Sequence, residues 1–112
     1  MGMQYMMYNP LHRFDMSIIP PTEKDAYFRY TKIQGYVHDM GAAMQDGVGG
    51  HAGLFANSTD VAKMMQLFLQ KGNYAGHQYF SEKTFEAFNN CAYCNVGNRR
   101  GMGFDKPQLQ GE

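Results

Sequence analysis

A chain of 112 residues with 44% hydrophobic and 18% charged residues has the composition of a small globular protein with room for one modest core. Ten basic and ten acidic residues give a formal net charge of zero, which excludes the basic footprint of a protein that binds nucleic acid or an anionic membrane. No apolar run approaches the roughly 20 residues of a membrane-spanning helix, and MGMQYMMYNP lacks the basic-then-apolar order of a signal peptide.

Residues 1–35 read as extended and loop-rich, because Ile18-Ile19-Pro20-Pro21 interrupts any continuous helix. Pro21–Asp25 carries either a first helical turn, with Thr22 as cap and Asp25 three residues on, or a surface turn. Thr31–Val37, with β-branched and aromatic residues, predicts a brief strand. Residues 36–57 then hold a short helix and a glycine-rich turn. DMGAAMQDG, residues 39–47, predicts two helical turns capped by Asp39 and closed by Gly47. Gly47, Gly49, Gly50 and Gly53 fall within seven residues, which calls for positive φ or for close approach of the backbone to something.

Residues 58–112 contain the clearest helices and a C-terminal edge segment. Asn57 is placed to accept from the amide of Asp60 while Asp60 reaches back, and Val61, Met64, Met65, Phe68 and Leu69 recur on one face of a helix over 58–71. Lys71 and Gly72 close it with a cation in the last turn and a C-terminal glycine. NYAGHQYF makes a compact turn. A second helix starts at the cap Ser81, with Phe80 and Phe85 as a hydrophobic staple and Glu82 at the positive end, and stops near Asn90. Glycines alternating with Met102 and Phe104 predict one short edge strand before a polar end. The whole is an α+β chain, predominantly α.

Known chemical motifs are scarce. There is no G-x-S-x-G, and the three serines give SIIP, STDV and SEKT, none of them S-x-x-K. Tyr93-Cys94-Asn95 matches Y-x-N but lacks a serine partner, and the glycines at 47–53 are not followed by the Lys-Ser/Thr of a phosphate-binding loop. Cys91 and Cys94 form a single C-x-x-C without a second ligand pair, and the four histidines have no ligand spacing. Two ordinary thiols or a local disulfide is expected there; no metal and no cofactor is expected anywhere. His51, between glycines, is left as either a base, a ligand or a structural residue.

One stretch carries a resemblance. GYVHDMGAAMQDGVGGHAGLFANSTDVAKMMQLFLQKGNYAGHQYFSEKTFEAF resembles the serine hydrolases related to class C β-lactamases and penicillin-binding proteins, in its G-x-V-H-D, in its D-G-V-G-G-H-A-G-L-F, which is similar to the family's G-G-x-x-G-H-A-G-L-F, and in the two helices that follow. IIPPTEKDAYFR upstream and NRRGMGFDKP downstream look similar to bacterial members. The resemblance implies an internal piece of such an enzyme, covering part of the helical subdomain of the β-lactamase/transpeptidase-like fold. It implies acyl transfer through a serine acyl-enzyme, with the S-x-x-K, the Y-x-N and the K-T-G or H-T-G boxes outside residues 1–112, so that no residue of this chain is catalytic. His51-Ala52-Gly53 precedes the capped helix and is therefore not the H-T-G box. The implied roles are a rim of the substrate cleft for His51, Ala52 and Gly53, with His38 and Asp39 as a second pair. Ala56-Asn57 replaces the family's Ser-Thr before the helix, which keeps a cap and loses one hydroxyl. The implied partner is the remainder of the parent hydrolase domain, with self-association through exposed apolar surface, and the implied location is the bacterial periplasm or envelope. The competing expectation, from ten methionines, is a self-standing interaction module that docks a partner on an adaptable apolar face.

Overall fold

The computed structural model describes residues 1–107. In chain order these form strand β1 (Pro21–Lys24), strand β2 (Lys32–Gln34), helix α1 (Met40–Ala43), helix α2 (Ser58–Leu69), strands β3 (Asn73–Tyr74) and β4 (His77–Gln78), and helix α3 (Glu82–Asn89). Short 3-10 turns lie at Pro10–His12, Met16–Ile18 and Cys94–Val96. Helices outweigh strands, but turns and loops carry most of the chain. Contacts group residues 2–62 into one unit and residues 63–107, with Met1, into another.

In the first unit β1 and β2 pair antiparallel, with Pro21 opposite Gln34, Glu23 opposite Ile33, and an irregularity between Pro21 and Glu23. Neither reading of Pro21–Asp25 as a helical start or a surface turn holds. Pro21 opens a strand, where its missing N–H is tolerated, and Asp25 organises the connection that follows. The Thr31–Val37 expectation narrows to a strand over 32–34. Ile19, Ile33, Val37 and Ala42 are the buried apolar residues of this unit. The N-terminal segment is held by an antiparallel bridge between Met7 and Phe55, two bonds of 2.9 Å.

Asp60 fastens the same segment. Its amide receives the predicted cap from Asn57 Oδ1 at 2.8 Å, while its carboxylate, 2% exposed, accepts from the amides of Gln4 at 2.9 Å and Tyr5 at 2.7 Å. A buried carboxylate is stable only when hydrogen-bonded, so this residue doubles as helix start and clamp.

Helix α1 is one turn shorter than expected. Asp39 Oδ1 accepts from the Ala42 amide at 2.7 Å as its cap. Its end is a Schellman motif: Gly47 N donates to Ala42 O at 2.9 Å and Asp46 N to Ala43 O at 3.2 Å, with Asp46 left-handed at φ 59°. Helix α2 ends the same way, with Gly72 N on Leu67 O at 2.9 Å, Lys71 N on Phe68 O at 3.0 Å, and Lys71 left-handed at φ 48°. In both helices the glycine follows the left-handed position. Gly72 is required because a Cβ there would lie 2.1 Å from Phe80 O.

The expected apolar face of α2 is buried only in part, at Met64 and Phe68. Leu67 and Asp60 are buried and Met64 and Phe68 half-buried, whereas Val61, Met65 and Leu69 are 43%, 48% and 79% exposed. The helix carries apolar residues on two sides, and its periodicity alone does not choose between them. In the second unit Phe68 lies edge-on to Phe104 at 5.0 Å and tilted to Phe80 at 6.1 Å. Ala75 and Gly76, at φ 51° and 80°, form the two-residue turn of the β3–β4 hairpin, a primed geometry suited to tight hairpins. Helix α3 starts as expected, with Ser81 Oγ accepting from Thr84 N at 3.1 Å, and ends at Asn89. Lys71 pairs with Glu82 and, at 3.4 Å, with Glu86.

The expected edge strand at Met102–Phe104 is absent among the described residues. Met102 N donates to Phe88 O at 2.8 Å and Gly101 N to Phe104 O at 3.0 Å, so the segment folds as a turn against the end of α3. The predicted polar end, residues 108–112, lies outside the described residues. Cys91 and Cys94 form a disulfide with Cα atoms 5.6 Å apart, which resolves the thiol-or-disulfide alternative.

The glycine-rich turn is closed by its own backbone. Gly53, at φ 113°, passes so near residue 47 that a Cβ would stand 2.2 Å from Gly47 O. Gly49 N donates to Ala52 O at 3.2 Å, and the Tyr8 hydroxyl donates to Gly49 O at 3.1 Å. Gly50 faces open space. Gly53→Ala is therefore expected to destabilise the chain by about 2–4 kcal/mol, and Gly50→Ala by less than about 0.5 kcal/mol, in urea unfolding. Equal effects at the two positions would contradict this geometry.

Candidate functional site

Four of the five residues singled out from the sequence line one depression. His38, Asp39, Ala52 and Gly53, with Thr22, Tyr36, Val37, Leu54 and Phe55, border an open hollow of about 420 Å³. The fifth, His51, is tied to it by Asp39, whose Oδ1 lies 2.9 Å from His51 Nε2. Residues 38–39 and 51–53 thus meet because the glycine turn doubles back, and the Asp39 cap lies where the two segments join.

Asp39 serves two donors from the same oxygen, the Ala42 amide and the His51 ring. These bonds, the amide first and the ring second, hold its carboxyl below the usual carboxylate range. An anionic Asp39 accepts from the His51 Nε2–H and so orients the imidazole. The pair positions a histidine and supplies no nucleophile. Ser17 lies in a 3-10 turn whose amide bonds Asp15, Ser58 opens α2, and Ser81 is committed as the cap of α3. Among the described residues no group of three His, Cys, Asp or Glu side chains is arranged to hold a metal ion.

A second layer, not found from the sequence, fixes the rim. Asp25, 2% exposed, accepts from the amides of Tyr27 and Phe28 at 2.9 Å each and from the amide and Nε of Arg29 at 3.0 Å each. The rest of the Arg29 guanidinium donates to Val37 O at 2.7 Å and His38 O at 2.8 Å. It also lies 3.6 Å from Glu23, whose other oxygen is 3.2 Å from His38 Nε2. One arginine therefore links the β1–β2 hairpin to the backbone of His38, and its planar fork matches three acceptors at once. The spacing of Asp25 and Arg29 was a signal in the sequence, but the carbonyl acceptors are set only by the folded chain.

The chain is 37% identical to an N-acetylmuramyl-L-alanine amidase of Bacillus subtilis (strain 168), over 77% of this chain and 22% of that relative. It is 36% identical to a protein of Escherichia coli O157:H7 provisionally named D-alanyl-D-alanine carboxypeptidase, over 79% of this chain and 23% of the relative. A protein of Escherichia coli (strain K12) with the same provisional name is 35% identical over the same shares. The chain thus spans about a fifth of the length of the curated relatives it matches, and these relatives are peptidoglycan-related hydrolases. No family model matches the chain, and no solved structure matches it.

The Asp25 knot gives the rim a pH dependence. The amides of Phe28 and Tyr27, and then Arg29, hold the Asp25 carboxyl well below the usual carboxylate range. A depressed folded value means that the group stabilises the fold above its unfolded pKa of about 3.9, and that this stabilisation is lost as pH falls from there through the folded value. Acid unfolding followed by circular dichroism is expected to lose this component below about pH 4, and Asp25→Asn is expected to be less stable at pH 7 with a flatter profile in that window. An unchanged profile in the variant would remove Asp25 from the account.

Proposed function

We propose that this chain is a structural segment, carrying no catalytic residue, of a peptidoglycan-processing hydrolase whose reaction passes through a serine acyl-enzyme. The observation that carries the reading is the similarity of more than three quarters of the chain to an amidase and to carboxypeptidase-named proteins of that class. The serine mechanism rests on the resemblance of G-x-V-H-D and D-G-V-G-G-H-A-G-L-F to class C β-lactamase-like and penicillin-binding enzymes, in which the nucleophile and its lysine stand in S-x-x-K. In the parent, serine attacks an amide or ester carbonyl, the leaving group departs with a proton, and water releases the acyl group. The segment contributes part of the helical subdomain of a β-lactamase/transpeptidase-like fold, with His38, Asp39, His51, Ala52 and Gly53 on the rim of its cleft. Parent enzymes of this kind act in the bacterial envelope.

The exposed side of α2 supports the same reading. Val61, Met65 and Leu69 follow at four-residue steps and remain uncovered, as a face made to pack against a larger body does. In the proposal that body is the remainder of the parent domain. The alternative of a self-standing interaction module draws on the same face and gains no observation of its own.

A chimaera tests the proposal. This chain replaces the matching segment of the Bacillus subtilis amidase, and release of stem peptides from purified peptidoglycan, read as new L-alanine amino termini, is measured beside trapping of an acyl adduct by a β-lactam. The expected result is retained hydrolysis, with the adduct on a serine outside the transplanted segment. A folded chimaera without hydrolysis would contradict the structural role, and hydrolysis through a metal-dependent, serine-independent route would contradict the acyl-enzyme.

A further inference from the structure

Residues 88–104 make a closed excursion. The chain leaves α3 at Asn90 and returns so that the Met102 amide donates to Phe88 O at 2.8 Å. Gly101 forms the other side of this neck, where a Cβ would lie 2.7 Å from Phe88 O. Inside the loop the amides of Val96 and Asn98 both donate to Tyr93 O at 3.1 Å, and Gly97 N donates to Cys94 O at 3.1 Å. Beyond the neck Arg99 grips Asp105 with two bonds, 2.8 and 3.1 Å, and Phe104 rests edge-on against Phe68.

No side chain from 90 to 107 is fully buried. The order of this loop therefore does not come from a core; it comes from a few exposed turn bonds, the arrangement of segments that open at low cost. The Cys91–Cys94 cross-link is the one covalent constraint among the described residues, and it sits where the chain leaves α3. Both cysteines are half-buried and neither is enclosed.

We propose that the Cys91–Cys94 disulfide is a redox-operated clasp that keeps the 90–102 loop and the Phe104 anchor ordered in oxidising surroundings and releases them on reduction. Closure is thiol–disulfide exchange with a small disulfide such as oxidised glutathione. One cysteine thiolate attacks a sulfur of the small disulfide and expels a thiolate; the second then attacks the mixed disulfide and expels the other. Two cysteine thiols and one small disulfide become one protein disulfide and two small thiols, so the cysteines are oxidised by two electrons and the small disulfide is reduced by two. Opening reverses each step. The device does not depend on the hydrolase reading, since it rests on residues 88–105 and the Phe68 ring.

Amide hydrogen exchange on the whole chain tests it. The oxidised protein, the same protein reduced with dithiothreitol, and a C91S/C94S variant are compared, with free thiols counted in each. Both open forms are expected to lose protection at Gly97, Asn98 and Met102 on the order of tenfold, the size expected for a short cross-linked loop, while the Leu67 region of α2 is unchanged. Oxidised glutathione restores protection in the reduced protein and does nothing to the variant. Unchanged protection at the three amides would overturn the clasp. So would an equal loss in α2, which would make the cross-link a global requirement, or two free thiols in the protein after treatment with oxidised glutathione.

Discussion

The near-collision of residues 47 and 53 is the constraint on which the candidate site depends. Because Gly53 presents no side chain to Gly47 O, the glycine turn doubles back and brings 51–53 beside 38–39. A side chain at that point would hold the two segments apart, and the Asp39–His51 contact and the hollow beside it would go with it. The glycines thus serve the packing of the protein on itself first. The rim is a consequence of that packing, which is why a histidine there need not be a ligand or a base to be well oriented.

Around this turn, polar groups do what a thin core does not. Few apolar side chains are buried in either unit, yet two aspartates, Asp25 and Asp60, are almost fully enclosed. Asp60 gathers backbone amides from the N-terminal segment and Asp25 those of the turn that follows it, and Asp25 adds an arginine that in turn holds two carbonyls. Such knots give directional order to loops that carry little hydrophobic burial, and the one at Asp25 is exposed to acid because it needs the ionised carboxylate. The uncovered apolar side of α2 complements this picture, since the residues missing from the core are present in the sequence but face outward.

What could be read in the sequence was local. Asn57, Asp39 and Ser81 were legible as caps because a cap needs only a few consecutive residues, and the glycine cluster was legible as a close approach. Helix α2 was legible as a helix but not in its orientation, because Val61, Met65 and Leu69 compete with Met64, Leu67 and Phe68 for the inside. The partners of Asp60 lie more than fifty residues away, and the carbonyls held by Arg29 have no sequence signature at all. The C-terminal glycines read as an edge strand, and the bond from the Met102 amide to Phe88 O makes the segment a turn instead. The five rim residues came from resemblance; their convergence is a property of the folded chain.

In the proposed function, residues 38–39 and 51–53 form the edge of a cleft that takes peptidoglycan peptides. Nuclear magnetic resonance of the isotope-labelled chain, titrated with a soluble muropeptide bearing its stem peptide, addresses it directly. The account predicts shifts that saturate together and are confined to Thr22, Tyr36–Asp39 and His51–Phe55. Shifts centred elsewhere, or none up to millimolar ligand, would contradict it.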